Sequence, residues 1–267
     1  MSIPASTAAG AADWLLAAHD GRHRFIALPE EFSPKTFDEA YAIQELFAAQ
    51  RARQRGAAVG YKIALSSAAM RRFVGVESPQ AGVIHESTVH RSPARIRAAD
   101  YVGLIVEFEI AVELAEDLPA ADAPFFRERV ARAVGAVMPA IEIADDRGAD
   151  YTTLARHPLD LIADNTWNEG VVLGRPIPNW KGMSLEKTRG IAYINGVNVG
   201  EGVGAEAMGH PFDAVAWIAD HLASRRHGLL RKDFVITGSL VTSKRVKAGD
   251  HVRFELENLG GVELRIE

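Results

Sequence analysis

The 267-residue sequence has no cysteine. That excludes disulfides, a thiolate nucleophile and thiolate-bound zinc, and it suits a cytoplasmic protein. Positive charge is not in excess either. Thirty Lys and Arg stand against 35 Asp and Glu, a net charge of -5, so neither nucleic acid nor an anionic membrane is expected as a partner. No apolar run approaches the roughly 20 residues a membrane helix needs. Residues 1–16 lack a basic start and carry Asp13, which argues against a signal peptide. Internal repeats, low-complexity tracts and a Pro/Ser-rich linker are also missing. What remains is a chain with 48% apolar and 24% charged residues, enough for a full globular core.

The most informative stretch is Ile105-Val106-Glu107-Phe108-Glu109-Ile110-Ala111-Val112-Glu113-Leu114. Apolar residues alternate with Glu107, Glu109, Ala111 and Glu113, the period of a strand with one buried face. Side chains two apart on a strand share a face, with Cα atoms about 6.5–7 Å apart. Glu107 and Glu109 can therefore flank a hard divalent cation, or they can simply be the wet face of an edge strand. Glu142, inside Ala140-Ile141-Glu142-Ile143, is a third carboxylate among apolar neighbours, and such a group is costly unless paired or bound to a cation. Three acids in buried-looking β contexts favour a metal. Lys62, within Val59-Gly60-Tyr61-Lys62-Ile63-Ala64-Leu65, either snorkels from an exposed strand or points into a site to stabilise an oxyanion.

Along the chain, a short helix is expected at residues 11–19, and a longer one from the N-cap Thr36, with Glu39 completing a capping box, to about Arg55-Gly56. Residues 1–58 are expected to be a helical segment packed on a β-rich body, residues 59–267. Residues 125–137 show a helical stripe that Pro139 should stop. The run Leu161-Ile162-Ala163-Asp164-Asn165 suggests a strand leaving for a loop. Asn195-Gly196 marks a hairpin turn. Gly200-Glu201-Gly202-Val203-Gly204-Ala205 loosely matches a dinucleotide fingerprint, but it follows a hairpin, which points to a flexible loop. His210 precedes a helix at residues 212–222, as a cap or as a site residue. The C-terminal part is expected to be all β, with strands at 234–237, 240–244, 251–256 and 262–266. The fold class is α+β with a barrel-like or rolled sheet.

In order along the chain stand Gly60-Tyr61-Lys62-Ile63, Gly75-Val76-Glu77-Ser78-Pro79, Glu107-Phe108-Glu109, Pro139-Ala140-Ile141-Glu142, Ala163-Asp164-Asn165, Gly209-His210-Pro211 and Ile236-Thr237-Gly238-Ser239. This series resembles the fumarylacetoacetate hydrolase superfamily, in its 2-oxopent-4-enoate hydratase and 4-oxalocrotonate decarboxylase branch. The resemblance implies a metal site at Glu107, Glu109 and Glu142 holding magnesium or manganese. It implies Lys62 and Glu77 as catalytic groups, and Asp164, Asn165, His210, Thr237 and Ser239 around a small 2-oxo or 2-hydroxydienoate acid. The implied activity is a hydratase giving a 4-hydroxy-2-oxo acid. Alternatives are a vinylogous 2-oxo acid decarboxylase or another oxo-acid lyase or hydrolase on the same scaffold, or a catalytically silent partner subunit. A homo-oligomer, and a complex with a pathway partner enzyme, belong to the same set of expectations. Two features depart from relatives: Glu77 replaces the usual Asp, and Thr166-Trp167-Asn168-Glu169 replaces small residues. No His–Glu pair like that of the superfamily's C–C hydrolases is legible before Glu107.

Overall fold

In the computed structural model, which describes residues 3–267, the chain opens with two helices. Helix α1 (Ala5–Asp20) is alanine-rich and buries Ala8, Ala11, Ala12 and Leu15. Helix α2 (Phe37–Arg55) begins where Thr36 Oγ1 accepts the Glu39 N–H at 3.2 Å. The Glu39 carboxylate reaches back one residue further than a capping box requires, to the Lys35 N–H. The two helices pack together through Leu15, Ile43 and Phe47.

The body then runs β1 (Ala58–Ala64), α3 (Ala68–Val74), β2 (Gln80–His85), β3 (Val89–Arg91), β4 (Ala94–Ile96) and β5 (Leu104–Leu114). It continues with α4 (Arg127–Ala133), β6 (Val134–Asp145), α5 (Pro158–Ala163), β7 (Asn168–Leu173), β8 (Arg189–Ile194) and β9 (Val197–Val203). Last come α6 (Pro211–Ser224), β10 (Phe234–Ile236), β11 (Val241–Arg245), β12 (His251–Leu256) and β13 (Gly260–Ile266). The architecture is mixed α and β. One sheet, ordered β2-β1-β10-β5-β6-β7-β3 with β11 also on β5, curls into a half-barrel. A second sheet, β4-β13-β12-β8-β9, packs beside it.

Strand β5 separates two environments, because its side chains alternate. Val106, Phe108, Ile110 and Val112 enter the main core with α6 and the second sheet, where Phe108 meets Phe254 at 5.5 Å between ring centroids. Ala111 turns the other way, onto the inner face with Met138, Ala140, Val171 and Ile236. Glu107 and Glu109 share that face.

Three sequence expectations need correction. The helical stripe of 125–137 ends at Ala133, and residues 134–145 form one long strand. Pro139 does not stop a helix; it sits inside β6, opposite Ile110. Its outward-facing edge lies beyond the last residue of β7, where Gly174 N–H donates to its carbonyl, so its missing N–H breaks no ladder bond. Residues 161–163 belong to helix α5, not to a strand. Finally, Gly200 to Val203 are strand rather than flexible loop. A Cβ on Gly202 or Gly204 would fall 1.9 Å from the Leu240 or Leu185 carbonyl oxygen, so these glycines serve close backbone approach, not phosphate binding.

The free edge of β2 is satisfied by side chains rather than by another strand. Tyr41 Oη accepts the Ala81 N–H at 3.0 Å, and Gln44 Nε2 donates to the Ala81 carbonyl at 2.8 Å. Two residues along, Asn165 accepts from Val83 N–H at 2.7 Å and donates to Val83 O at 2.9 Å, imitating one rung of a ladder. Burial pushes the Tyr41 phenol up to about 12, so it stays neutral. Tyr41→Phe should leave the buried Ala81 N–H without an acceptor and lower stability by about 1–3 kcal/mol. Urea unfolding of the two proteins at neutral pH measures the difference.

Candidate metal centre

Cross-strand register brings the acids together. Glu107 on β5 pairs directly with Glu142 on β6, and Glu109 is two residues further along β5. One carboxylate oxygen from each of the three lies within 4.8 Å of the others. Glu109 and Glu142 are fully buried, whereas Glu107 is half-buried and marks the side from which the cluster meets solvent.

Each acid is held by a group with a distinct origin. Opposite Glu109, the partner strand breaks between β10 and β11. There Gly238, at φ +106°, turns its N–H onto Glu109 Oε2 at 2.5 Å. A Cβ at Gly238 would lie 2.4 Å from Ser66 Oγ, so this position needs glycine. Glu142 Oε1 accepts from Asn168 Nδ2 at 2.8 Å and lies 3.1 Å from Lys62 Nζ. Lys62 reaches the cluster from β1 across Gly82, its register partner. A Cβ there would fall 2.9 Å from Lys62 Cγ, so the missing side chain lets the lysine stem pass.

One lysine does not neutralise three carboxylates. Burial, then repulsion from Glu142, pushes Glu107 up to about 7 against the pull of Lys62. Burial, Glu142 and Glu107 push Glu109 well above the ordinary carboxylate range, although Lys62 and the Gly238 amide oppose this. Burial disfavours the Lys62 cation, but Glu142, Glu107 and Glu109 more than offset it, and its pKa is raised. Glu109 Oε1 and Glu142 Oε2 are buried without hydrogen-bond partners. Two orphaned anionic oxygens in an all-carboxylate set fit a hard divalent cation.

The side chains of the other residues singled out in the sequence are exposed or engaged with partners outside the carboxylate cluster. Glu77 is exposed on the α3–β2 loop, with no hydrogen bond or ion pair among the described residues. Thr237 Oγ1 donates to the Ile110 carbonyl at 2.9 Å, and Ser239 Oγ accepts from Phe108 N–H, so both hydroxyls serve the β5 backbone. His210 is the α6 cap, its Nδ1 accepting from Phe212 N–H at 3.0 Å. Asn165 is occupied with Val83. Asp164 is fully buried and bound by His19 Nε2 and Arg147, each at 2.5 Å. His19 Nδ1 also lies 3.2 Å from Glu169, which Arg51 and Arg55 hold at 2.6 and 2.7 Å. Sequence reasoning placed Gly238 in a ligand-facing stretch and named Asp164, but it missed the contact between Gly238 and Glu109, Asn168 and the rest of this ionic group. The available signal was Arg51 and Arg55, which continue the buried stripe of Gln44 and Phe47 on α2 at helical spacing.

Between Asp164 and Asn168, three consecutive non-glycine residues have positive φ: Asn165 (53°), Thr166 (49°) and Trp167 (62°). Each such residue costs about 1–2 kcal/mol, so surrounding contacts must impose the turn. Trp167 is buried with Val76, Leu154 and Leu161, edge-on to Phe25.

Burial lowers the His19 pKa, but attraction and hydrogen bonding from Asp164 and Glu169 outweigh it and raise the value above 6.5. A group with a raised folded pKa stabilises fully below its unfolded value and loses that contribution as pH rises through the folded value. His19→Gln should therefore be less stable than the native chain at pH 5.5, and the gap should shrink as pH rises past 7 toward 9. Urea midpoints across that range provide the check.

Comparison with known proteins bears on the fold and the family. Residues 49–267 match the family described as fumarylacetoacetate (FAA) hydrolase C-terminal. Escherichia coli 2-oxo-hept-4-ene-1,7-dioate hydratase is 28% identical over 93% of each chain. The TodF product hydratase of Pseudomonas putida is 32% identical, covering 84% of this chain and 82% of that one. The structure of 4-oxalocrotonate decarboxylase from Pseudomonas putida G7, complexed with magnesium and adipate, superposes with a TM-score of 0.90 at 25% identity over 99% of both chains. The chain belongs to the fumarylacetoacetate hydrolase family.

Proposed function

We propose that the protein is a divalent-metal-dependent hydratase that adds water to a 2-hydroxydienoate of the 2-oxopent-4-enoate type, giving a 4-hydroxy-2-oxo acid. The observation that carries this is Lys62 Nζ at 3.1 Å from Glu142, within the cluster of Glu107, Glu109 and Glu142. Hydratase names among the relatives support the same reaction class. Glu107, Glu109 and Glu142 would hold magnesium or manganese. The bound ion supplies Lewis acidity toward the oxygens of an oxo acid.

The chain's own residues supply the rest. Lys62 keeps its proton in the company of three acids, so it presents a fixed cation where enolate charge develops. The Gly238 amide and Asn168 hold two of the carboxylates in place before a ligand arrives. That order lowers the reorganisation needed during reaction. Apolar Val76, Leu65 and Trp167 pack together next to the strand that carries Glu107 and keep that side of the cluster dry. A vinylogous 2-oxo acid decarboxylase is the second reading, favoured by the similarity over 99% of the chain to 4-oxalocrotonate decarboxylase. Both reactions need the same electron sink, so the centre serves either.

The test mixes metal-free protein with magnesium and 2-hydroxypenta-2,4-dienoate, following dienol absorbance and product mass. A metal-dependent gain of one water, lost in Glu109→Gln, is the expected result. Ketonisation alone, with carbon dioxide released from a carboxylated dienoate, would select the decarboxylase. Lys62→Met should lower kcat by roughly 10²–10³-fold while metal affinity stays equal or rises, because a cation leaves the cluster. Unchanged turnover would reduce Lys62 to a structural counter-ion.

A further inference from the structure

Several charged groups lie behind the metal centre and take no part in the chemistry above. We propose that the ionic group of His19, Arg51, Arg55, Arg147, Asp164 and Glu169 is a positioning device that imposes the turn at residues 165–167 and thereby aims that turn at the metal centre. This rests on the metal reading of Glu107, Glu109 and Glu142.

The geometry is that of a strap. Asp164 stands immediately before the strained turn, and Glu169 follows one residue after Asn168. One imidazole grips both, with Nε2 at 2.5 Å from Asp164 and Nδ1 at 3.2 Å from Glu169. Arg147 fixes the first carboxylate from the far end of β6, and Arg51 fixes the second from α2. Arg55 joins Arg51 on Glu169 at 2.7 Å, and His19, Arg51, Arg55 and Arg147 are therefore positioning residues. The turn's contents face the centre. Its Thr166 carbonyl lies 3.5 Å from Lys62 Nζ, and the Asn168 amide holds Glu142. Thr166 Oγ1 is buried without a partner, and lies beside the lysine stem over Gly82.

Two physical arguments point to a positioning role beyond the pH-dependent stability that His19 contributes. A buried ion pair can often be replaced by apolar residues without loss of stability, so its retention signals a required conformation. Three successive left-handed residues, one of them β-branched, do not hold that shape unaided.

The test measures Mn²⁺ affinity by electron paramagnetic resonance of the free ion, together with folding by circular dichroism. Groups hydrogen-bonded directly to metal ligands, as Asn168 is to Glu142, typically change affinity roughly 10–100-fold when removed, and His19 acts one step behind Asn168, so the low end of that range applies. His19→Gln should bind Mn²⁺ about tenfold more weakly while folded at the assay temperature. Leu264→Ala, a core change in the second sheet, should lower the melting temperature but keep native affinity. Native Mn²⁺ affinity in folded His19→Gln would overturn the proposal. If His19→Gln does not fold, Arg55→Gln carries the test, since that arginine is 30% exposed: weaker Mn²⁺ binding supports the device and native binding overturns it. Failure of the native protein itself to bind Mn²⁺ would instead overturn the metal reading.

Discussion

Repulsion among three clustered carboxylates, two of them fully buried, is the constraint around which the inner face of the half-barrel is arranged. Glu107 and Glu142 are direct cross-strand partners, a pairing that is unfavourable when like charges face each other. The fold sustains it by drawing one cation, Lys62, from β1 and by aiming an amide at each of the two deepest acids. The remaining deficit is two negative charges, which a divalent ion matches. Much of the local irregularity follows from this. The gap between β10 and β11, the absent side chain at Gly82 and the positive φ at Gly238 each make room for, or point a donor at, a carboxylate.

Strand β5 lets this polar arrangement coexist with a dry core. Its even-numbered residues from Val106 to Val112 are fully buried against the second sheet and α6. Its odd-numbered acids share their face with small or slender residues, Ala111, Ala136 and Ala140. A one-residue slip would exchange the two sets and place carboxylates against Phe254. The same side chains that anchor the hydrophobic core therefore fix the register of the acids.

Much of this was legible in the sequence because it depends on local period. The alternation around Glu107, the interruption at Glu142, the misplaced Lys62 and the Asn195-Gly196 turn are all short-range signals. What was illegible depends on contacts far apart in the chain. Val134 to Val137 continue a helical stripe in sequence, yet pairing with β5 makes them strand. Residues 161–163 are apolar on every side because α5 is wedged between α2 and β2, so length alone could not separate helix from strand. The resemblance pointed to Thr237 and Ser239 in Ile236-Thr237-Gly238-Ser239, whereas the glycine between them supplies the amide to Glu109 through its backbone angle. His19 and Glu169 are 150 positions apart and carry no shared pattern.

The side-chain finish on the edge of β2 has a further meaning for how such a scaffold diversifies. Tyr41, Gln44 and Asn165 close the curl where a backbone ladder would otherwise run. A ladder ties every residue to its neighbours, so an insertion there displaces a whole strand. A seam made of three side chains can be re-tailored one residue at a time, and the segment it borders carries Trp167 toward the apolar cluster beside the centre. Change can accumulate along that seam while the carboxylate register on β5 and β6 stays untouched.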